Sequence, residues 1–303
     1  MSEANNKSTI STMQERDMKK VSASQKVAKV ISLTAIYIFL IVIAIIVLFP
    51  FYWMIISSLK SLPEYRLSEP TLFPTMGIHF ENYFRAFTVG NLGVLFGNTV
   101  YVGVVSTILS LVITVLSAFA FARLEFKGRD ALFGLLLATM MIPGELFTIT
   151  NYATVSGFGW INTYTVLIVP FLVSVFYIYL LKQNFLQIPN ELYLAAKVDG
   201  TTDLKYLWKV MIPLALPTLI SITILKMMGS WNSYMWPNLV ARKESMHLVT
   251  NGLRNAFTEA TSGDTDYPVQ MAAVAIVSAP LFMVFLFFRK YIMKGVSRSG
   301  IKG

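Results

Sequence analysis

Blocks of mainly apolar residues divide this chain at 30–58, 99–122, 131–150, 164–181, 212–231 and 269–291. Each is roughly the 20 residues that carry a helix across a hydrocarbon core of about 30 Å. The pattern predicts an all-α membrane protein with six transmembrane helices, which puts both termini on one side. The first block is far longer than the apolar core of a signal peptide and continues without a small-residue cleavage site, so it reads as a retained span. Pro50 is expected to bend it near its outer end. Residues 1–28 are polar and weakly patterned, and read as a flexible tail ahead of a transmembrane domain covering 29–303.

Between the fourth and fifth blocks lies a different pattern, 188–217, which reads as two short helices joined by a tight turn. Pro189 suits a first helical turn, where no N–H is needed. Leu192, Ala195, Ala196 and Val198 fall on one helical side. Asp199-Gly200 breaks the run, because Gly readily takes a positive φ. Thr201 or Thr202 is placed to cap a second helix, with Leu204, Leu207, Trp208 and Met211 as its apolar face. A loop that only joined two spans needs no such stripe. Small residues at its centre suit close approach to a groove on a partner. An amphipathic pair resting on the bilayer surface or on the protein's own helix ends fits the same pattern.

Composition and charge agree with the membrane reading. Hydrophobic residues make up 55% of the 303 and charged residues 14%, with mean hydropathy +0.61, too apolar for an ordinary soluble domain. Of the 25 Lys and Arg, 18 fall in segments on the side of the termini and six on the other, with Lys226 inside a block. That asymmetry predicts cytoplasmic termini and a cytoplasmic 188–213 loop. The net charge of +9 therefore implies no nucleic-acid partner. Residues 60–97 and 238–268 become external loops, long enough to dock an external protein or to cap the bundle.

Catalytic chemistry finds no support. There is no cysteine, and the two histidines, His79 and His247, lie far apart without an H-E-x-x-H, so no metal site is expected. No G-x-x-x-x-G-K-[ST] phosphate loop occurs, which argues against ATP binding by that route.

Candidate ligand contacts are polar and aromatic residues near the outer ends of spans: Trp231, Asn232 and Tyr234, with Asn151 and Tyr152 after the third block. Aromatic faces and hydrogen-bonding side chains together suit a polar organic ligand. An interfacial aromatic belt explains the same residues, and Trp236 is assigned to it. Glu145 and Lys226 each fall about 21 Å into the membrane from the inner surface. Either they pair, or Lys226 snorkels outward while Glu145 faces water.

The 188–217 segment resembles the cytoplasmic coupling loop of ABC importer permeases, whose signature is E-A-A, three residues, G, nine residues, I, one residue, L-P. Ala195, Ala196, Gly200 and Pro213 fit in register, and Val210 and Ile212 replace the Ile and Leu. Leu194 stands where the signature has its acid, while Glu191 matches the acid of a preceding P-x-E-L. Leu48-Phe49-Pro50-Phe51-Tyr52-Trp53-Met54, Phe80-Glu81-Asn82-Tyr83, Ala118 to Leu124, Met141-Ile142-Pro143 and Trp231-Asn232 resemble, in order and spacing, the maltose-type (MalG-like) sugar permeases. The resemblance implies a non-catalytic subunit in the bacterial cytoplasmic membrane. Its partners would be a second permease, two ATPase subunits that hold the ATP and Mg, an external solute-binding protein and lipid. Glu191, Ala195, Ala196, Asp199 and Gly200 would meet the ATPase. The cargo would be a sugar or oligosaccharide, or a charged solute such as glycerol phosphate on the same framework. A secondary transporter or a membrane scaffold would lack the ATPase or the cargo.

Overall fold

A computed structural model describes residues 29–257 and 265–290 with their side chains, and the backbone alone of 2–28, 258 and 291–297. The tail expected over 1–28 lies outside the residues described with side chains. Among the described residues there is no strand.

Two units divide after Ile56. The first is carried by α1 (Ser2–Ser58), which continues through Pro50 as helix. Its apolar side chains from Val30 to Phe49 are exposed. Lipid tails are as apolar as leucine, so a bilayer covers such a surface without a protein neighbour.

The second unit is organised around α3 (Leu92–Arg123). Its buried side reads Asn98, Thr99, Val102, Gly103, Ser106, Thr107, Ser110, Thr114 and Ala118, whereas Val100, Val104, Ile108, Val112 and Leu116 are exposed. Small and hydroxyl residues point inward and large aliphatic ones outward, the arrangement that lets membrane helices approach closely. A Cβ on Gly103 would lie 2.8 Å from Met227 Sδ, so this contact needs glycine or a shift of the Met227 side chain. α3 packs against α7 (Val175–Leu186) and α10 (Leu216–Trp231). α10 also packs against α13 (Tyr267–Ser297), and α13 against α2 (Glu81–Val89).

Three of the expected spans are broken. α4 (Arg129–Thr139) bends by 82° to the segment containing α5 (Thr148–Gly157). Pro143 sits in that break, and its ring and missing N–H exclude it from a helix interior. α6 (Tyr164–Ile168) runs through a 3-10 turn holding Pro170 and meets α7 at 45°, where the Ser174 hydroxyl caps α7 by accepting from Tyr177 N. The block expected from 212 is helical at Ile212–Leu214, breaks at Ala215 and resumes at Leu216 after an 80° bend, with Pro213 and Pro217 on either side. Among the described residues, three helices are long and apolar enough to cross a membrane unaided, and up to six segments are if each bent pair is one span.

The two long loops are structured. Glu64 is buried and accepts from Thr75 N at 2.6 Å, Thr75 Oγ1 at 2.9 Å, Thr71 Oγ1 at 3.1 Å and Met76 N at 3.2 Å. α12 (Val249–Thr258), in the other loop, packs on α3 and α13. α12 thus covers part of α3 and α13, in keeping with the capping role, one of the two left open for this loop.

Candidate functional site

The 188–217 segment forms the expected helix–turn–helix. α8 (Asn190–Val198) follows Pro189, which takes the N-cap position rather than lying in the first turn. Gly200 adopts φ +69°, and Thr201 N closes the turn onto Ala196 O at 2.8 Å. Thr202 caps α9 (Asp203–Tyr206) by accepting from Lys205 N. The turn is then locked across its two arms: Asp203 Oδ1 receives Lys197 Nζ at 2.6 Å and the Tyr193 hydroxyl at 2.7 Å. The hydrogen bonds from Lys197 and then Tyr193 hold the Asp203 carboxyl below its ordinary range, and the bond to Asp203 raises Lys197. Both are therefore charged at neutral pH. Arg123, the last residue of α3, donates from Nη2 to Phe185 O at 2.8 Å and Ile188 O at 2.6 Å, tying the base of the loop to the central helix.

The loop has two apolar faces. Tyr206, Leu207 and Met211 are buried with Tyr193 and Ala196 packed against them. Leu192, Leu194, Val198, Leu204 and Trp208 are exposed, Val198 by 89%. This corrects the single face expected for each helix, because Leu204 and Trp208 point away from Leu207 and Met211. Part of the reason is the π-helical stretch Leu207–Met211, which changes the angular spacing of side chains. Glu191, Ala195, Asp199 and Gly200 are all exposed, and Ala196 is half-buried.

A second feature is a cavity of about 370 Å³ bounded by α3, the α6–α7 bend, α10 and α11 (Met235–Val240). Phe171 and Trp236 meet edge-to-face in its wall with centroids 5.6 Å apart, and Trp236 Nε1 donates to Val166 O at 2.9 Å, which fixes the indole. Ser106 and Ser230 face each other with their hydroxyls 3.4 Å apart. Lys226 enters from α10, its Nζ donating to Phe171 O at 2.5 Å. Gly229 opens on the cavity with no atom within 4 Å of where a Cβ would lie.

The solute residues expected from sequence do not converge here. Trp231 is buried in another cluster, tilted on Phe96 with centroids 5.5 Å apart, and Nε1 donates to Val277 O at 3.3 Å. It packs in that cluster and does not line the cavity. Asn232 is exposed and ends α10. Tyr234 accepts from Arg254, whose guanidinium carbon lies 5.2 Å from the ring centroid. Asn151 is exposed on α5, and Tyr152 accepts from Arg242 Nη2 at 2.6 Å. None of these four lines the cavity, whereas Trp236, assigned to an interfacial belt, does. Glu145 is exposed in a 3-10 turn, and no ion pair joins it to Lys226 among the described residues.

Residues 8–298 match the family described as the binding-protein-dependent transport system inner membrane component. The chain belongs to this family. It is 32% identical over 263 residues to the arabinooligosaccharides transport system permease AraQ of Halalkalibacterium halodurans, covering 86% of this chain and 93% of that protein. It is 30% identical over 267 residues to the trehalose/maltose transport system permease MalG of Thermococcus litoralis, with coverages of 87% and 94%. The fold is that of a chain in the crystal structure of a bacterial ABC transporter involved in the import of the acidic polysaccharide alginate. There the TM-score is 0.76 at 24% identity, covering 84% of this permease and 94% of that chain. As a permease of this family the protein is a multi-pass membrane component of a transport system.

Proposed function

We propose that this chain is a permease subunit of an ATP-driven ABC importer that moves a sugar or oligosaccharide across the cytoplasmic membrane by alternating access. The observation that carries the reading is the family match across residues 8–298, and the sugar-importing relatives supply the cargo class. In this reading six spans cross the membrane with both termini cytoplasmic. A second permease completes the pathway, two ATPase subunits hold ATP and Mg, and an external binding protein delivers the solute. This chain itself binds no cofactor.

The 188–217 loop fits the part of a rigid transmitter. Its inner face is bonded to the helices by Arg123 and by the Tyr206–Met211 packing. Its outer face, with Val198, Leu204 and Trp208 bare, is left for the ATPase, next to Glu191, Ala195, Ala196, Asp199 and Gly200. Anchors of this kind, desolvated in a partner's groove, dominate interface energy. Closure of the ATPase pair pushes on this loop, and the stiff turn passes the push to α3 and α10.

Co-purification tests this. Val198→Asp with Trp208→Asp changes two exposed side chains, so the chain still inserts and retains its permease partner. The ATPase is expected to fall at least tenfold in the purified complex. ATPase recovery at the wild-type level would remove this surface from the interface. Uptake without any ATPase would return the chain to the secondary-transporter reading.

A further inference from the structure

Lys226 is a cation inside an apolar helix, and among the described residues no acid pairs with its charge. The cavity it enters is lined by no Asp or Glu. Among the described residues its ammonium has one hydrogen-bond partner, the Phe171 carbonyl, although a lysine carries three donors. Glu145, the acid at matching depth in the sequence, makes no pair with it. An ionisable side chain within a membrane span is costly and is retained where it meets a counter-charge or a transported species. The Phe171 carbonyl lies where α6 gives way to α7, so the break that interrupts the span also holds the lysine against the cavity wall.

The surrounding groups suit a carbohydrate. Phe171, Trp236 and Tyr177 supply aromatic surface, and Ser106, Ser230 and Ser233 supply hydroxyls. Aromatic faces take the C–H surfaces of a sugar ring, and serine hydroxyls both donate and accept. A neutral sugar would leave the ammonium uncompensated. A carboxylate or phosphate on the sugar would accept a charge-assisted bond from it.

We infer that Lys226 is a specificity residue of this permease, selecting a solute that carries an anionic group, a uronate carboxylate or a phosphate, within the aromatic-walled cavity. This rests on the importer reading above. On it, Lys226→Met removes selection for the anion, and Lys226→Arg restores it because the guanidinium keeps the charge.

The test is ATP-driven uptake into proteoliposomes holding the full complex with its binding protein. The probes are digalacturonate, its neutral dimethyl ester, glycerol phosphate and neutral arabinobiose. The wild type is expected to carry at least one anion, with digalacturonate assigning the carboxylate and glycerol phosphate the phosphate. Lys226→Met is expected to lower that uptake at least tenfold, and Lys226→Arg to recover most of it. Uptake of arabinobiose alone, unchanged in Lys226→Met, would overturn the inference and leave the importer reading standing. Anion uptake equal in wild type and Lys226→Met would also overturn it. No uptake of any probe, with no ATPase co-purifying, would overturn both.

Discussion

Glu64 is a buried carboxylate whose four hydrogen bonds all come from Thr71, Thr75 and Met76. Burial alone raises its pKa, but the bonds from Thr75, Met76 and Thr71 outweigh it and hold the group below the ordinary glutamate value. Its contribution to loop order is therefore complete above the ordinary value of about 4.3 and is lost as pH falls through the lowered folded value. Limited proteolysis of the 60–80 segment should find it protected at neutral pH and cut in strong acid. Glu64→Gln should be cut at neutral pH, since the amide offers one oxygen where the carboxylate offers two; equal protection in both would contradict the bonding assigned to Glu64. Local residue chemistry was legible in sequence at Gly200 and Thr202, because positive φ and capping depend on a few neighbours. The Tyr193–Asp203–Lys197 lock was not, since it joins residues across a turn whose geometry sets which side chains meet. Lys226 stood out as a charge in an apolar block, but its partner, a backbone carbonyl, has no sequence signal.

At the scale of elements, α3 explains why hydropathy located the second span. Its outward residues are large and aliphatic and dominate the average, while the functional packing lies on the small and hydroxyl side. On that side Gly103 faces α10, where a Cβ would lie 2.8 Å from Met227 Sδ. Gly103→Ala should be tolerated, because the atoms it meets are the end of the flexible Met227 side chain. Gly103→Leu should cost about 1–3 kcal/mol by overpacking, read as a lowered unfolding midpoint in detergent. A midpoint unchanged by leucine would mean that the two helices do not meet so closely. The spans expected at 131–150 and 164–181 are bent, and prolines 143 and 170 mark the breaks. The exchange of Trp231 for Trp236 has a similar origin. The chain leaves helix at Asn232 and re-enters it at Met235, which turns the second indole into the cavity and leaves the first in the packing around Phe96. No proline or glycine lies within that break, although Gly229 and Pro237 flank it.

For the molecule as a whole, membrane class and family were readable because both are carried by long patterns: apolar blocks, charge asymmetry and the ordered motifs from residue 48 onward. The cavity proposed for the solute was not, because it is lined by single residues from α3, α6, α7, α10, α11 and the turns between them. The account stands on the solute passing this cavity, and Gly229 gives direct access to that claim, since a side chain there meets no protein atom within 4 Å of its Cβ position. The measurement is ATP-driven solute uptake by the reconstituted complex with Gly229→Phe, alongside Gly229→Ala and the amount of ATPase that co-purifies. The account predicts near wild-type uptake for alanine and at least a tenfold loss for phenylalanine with the complex intact; wild-type uptake by an assembled Gly229→Phe complex would contradict it.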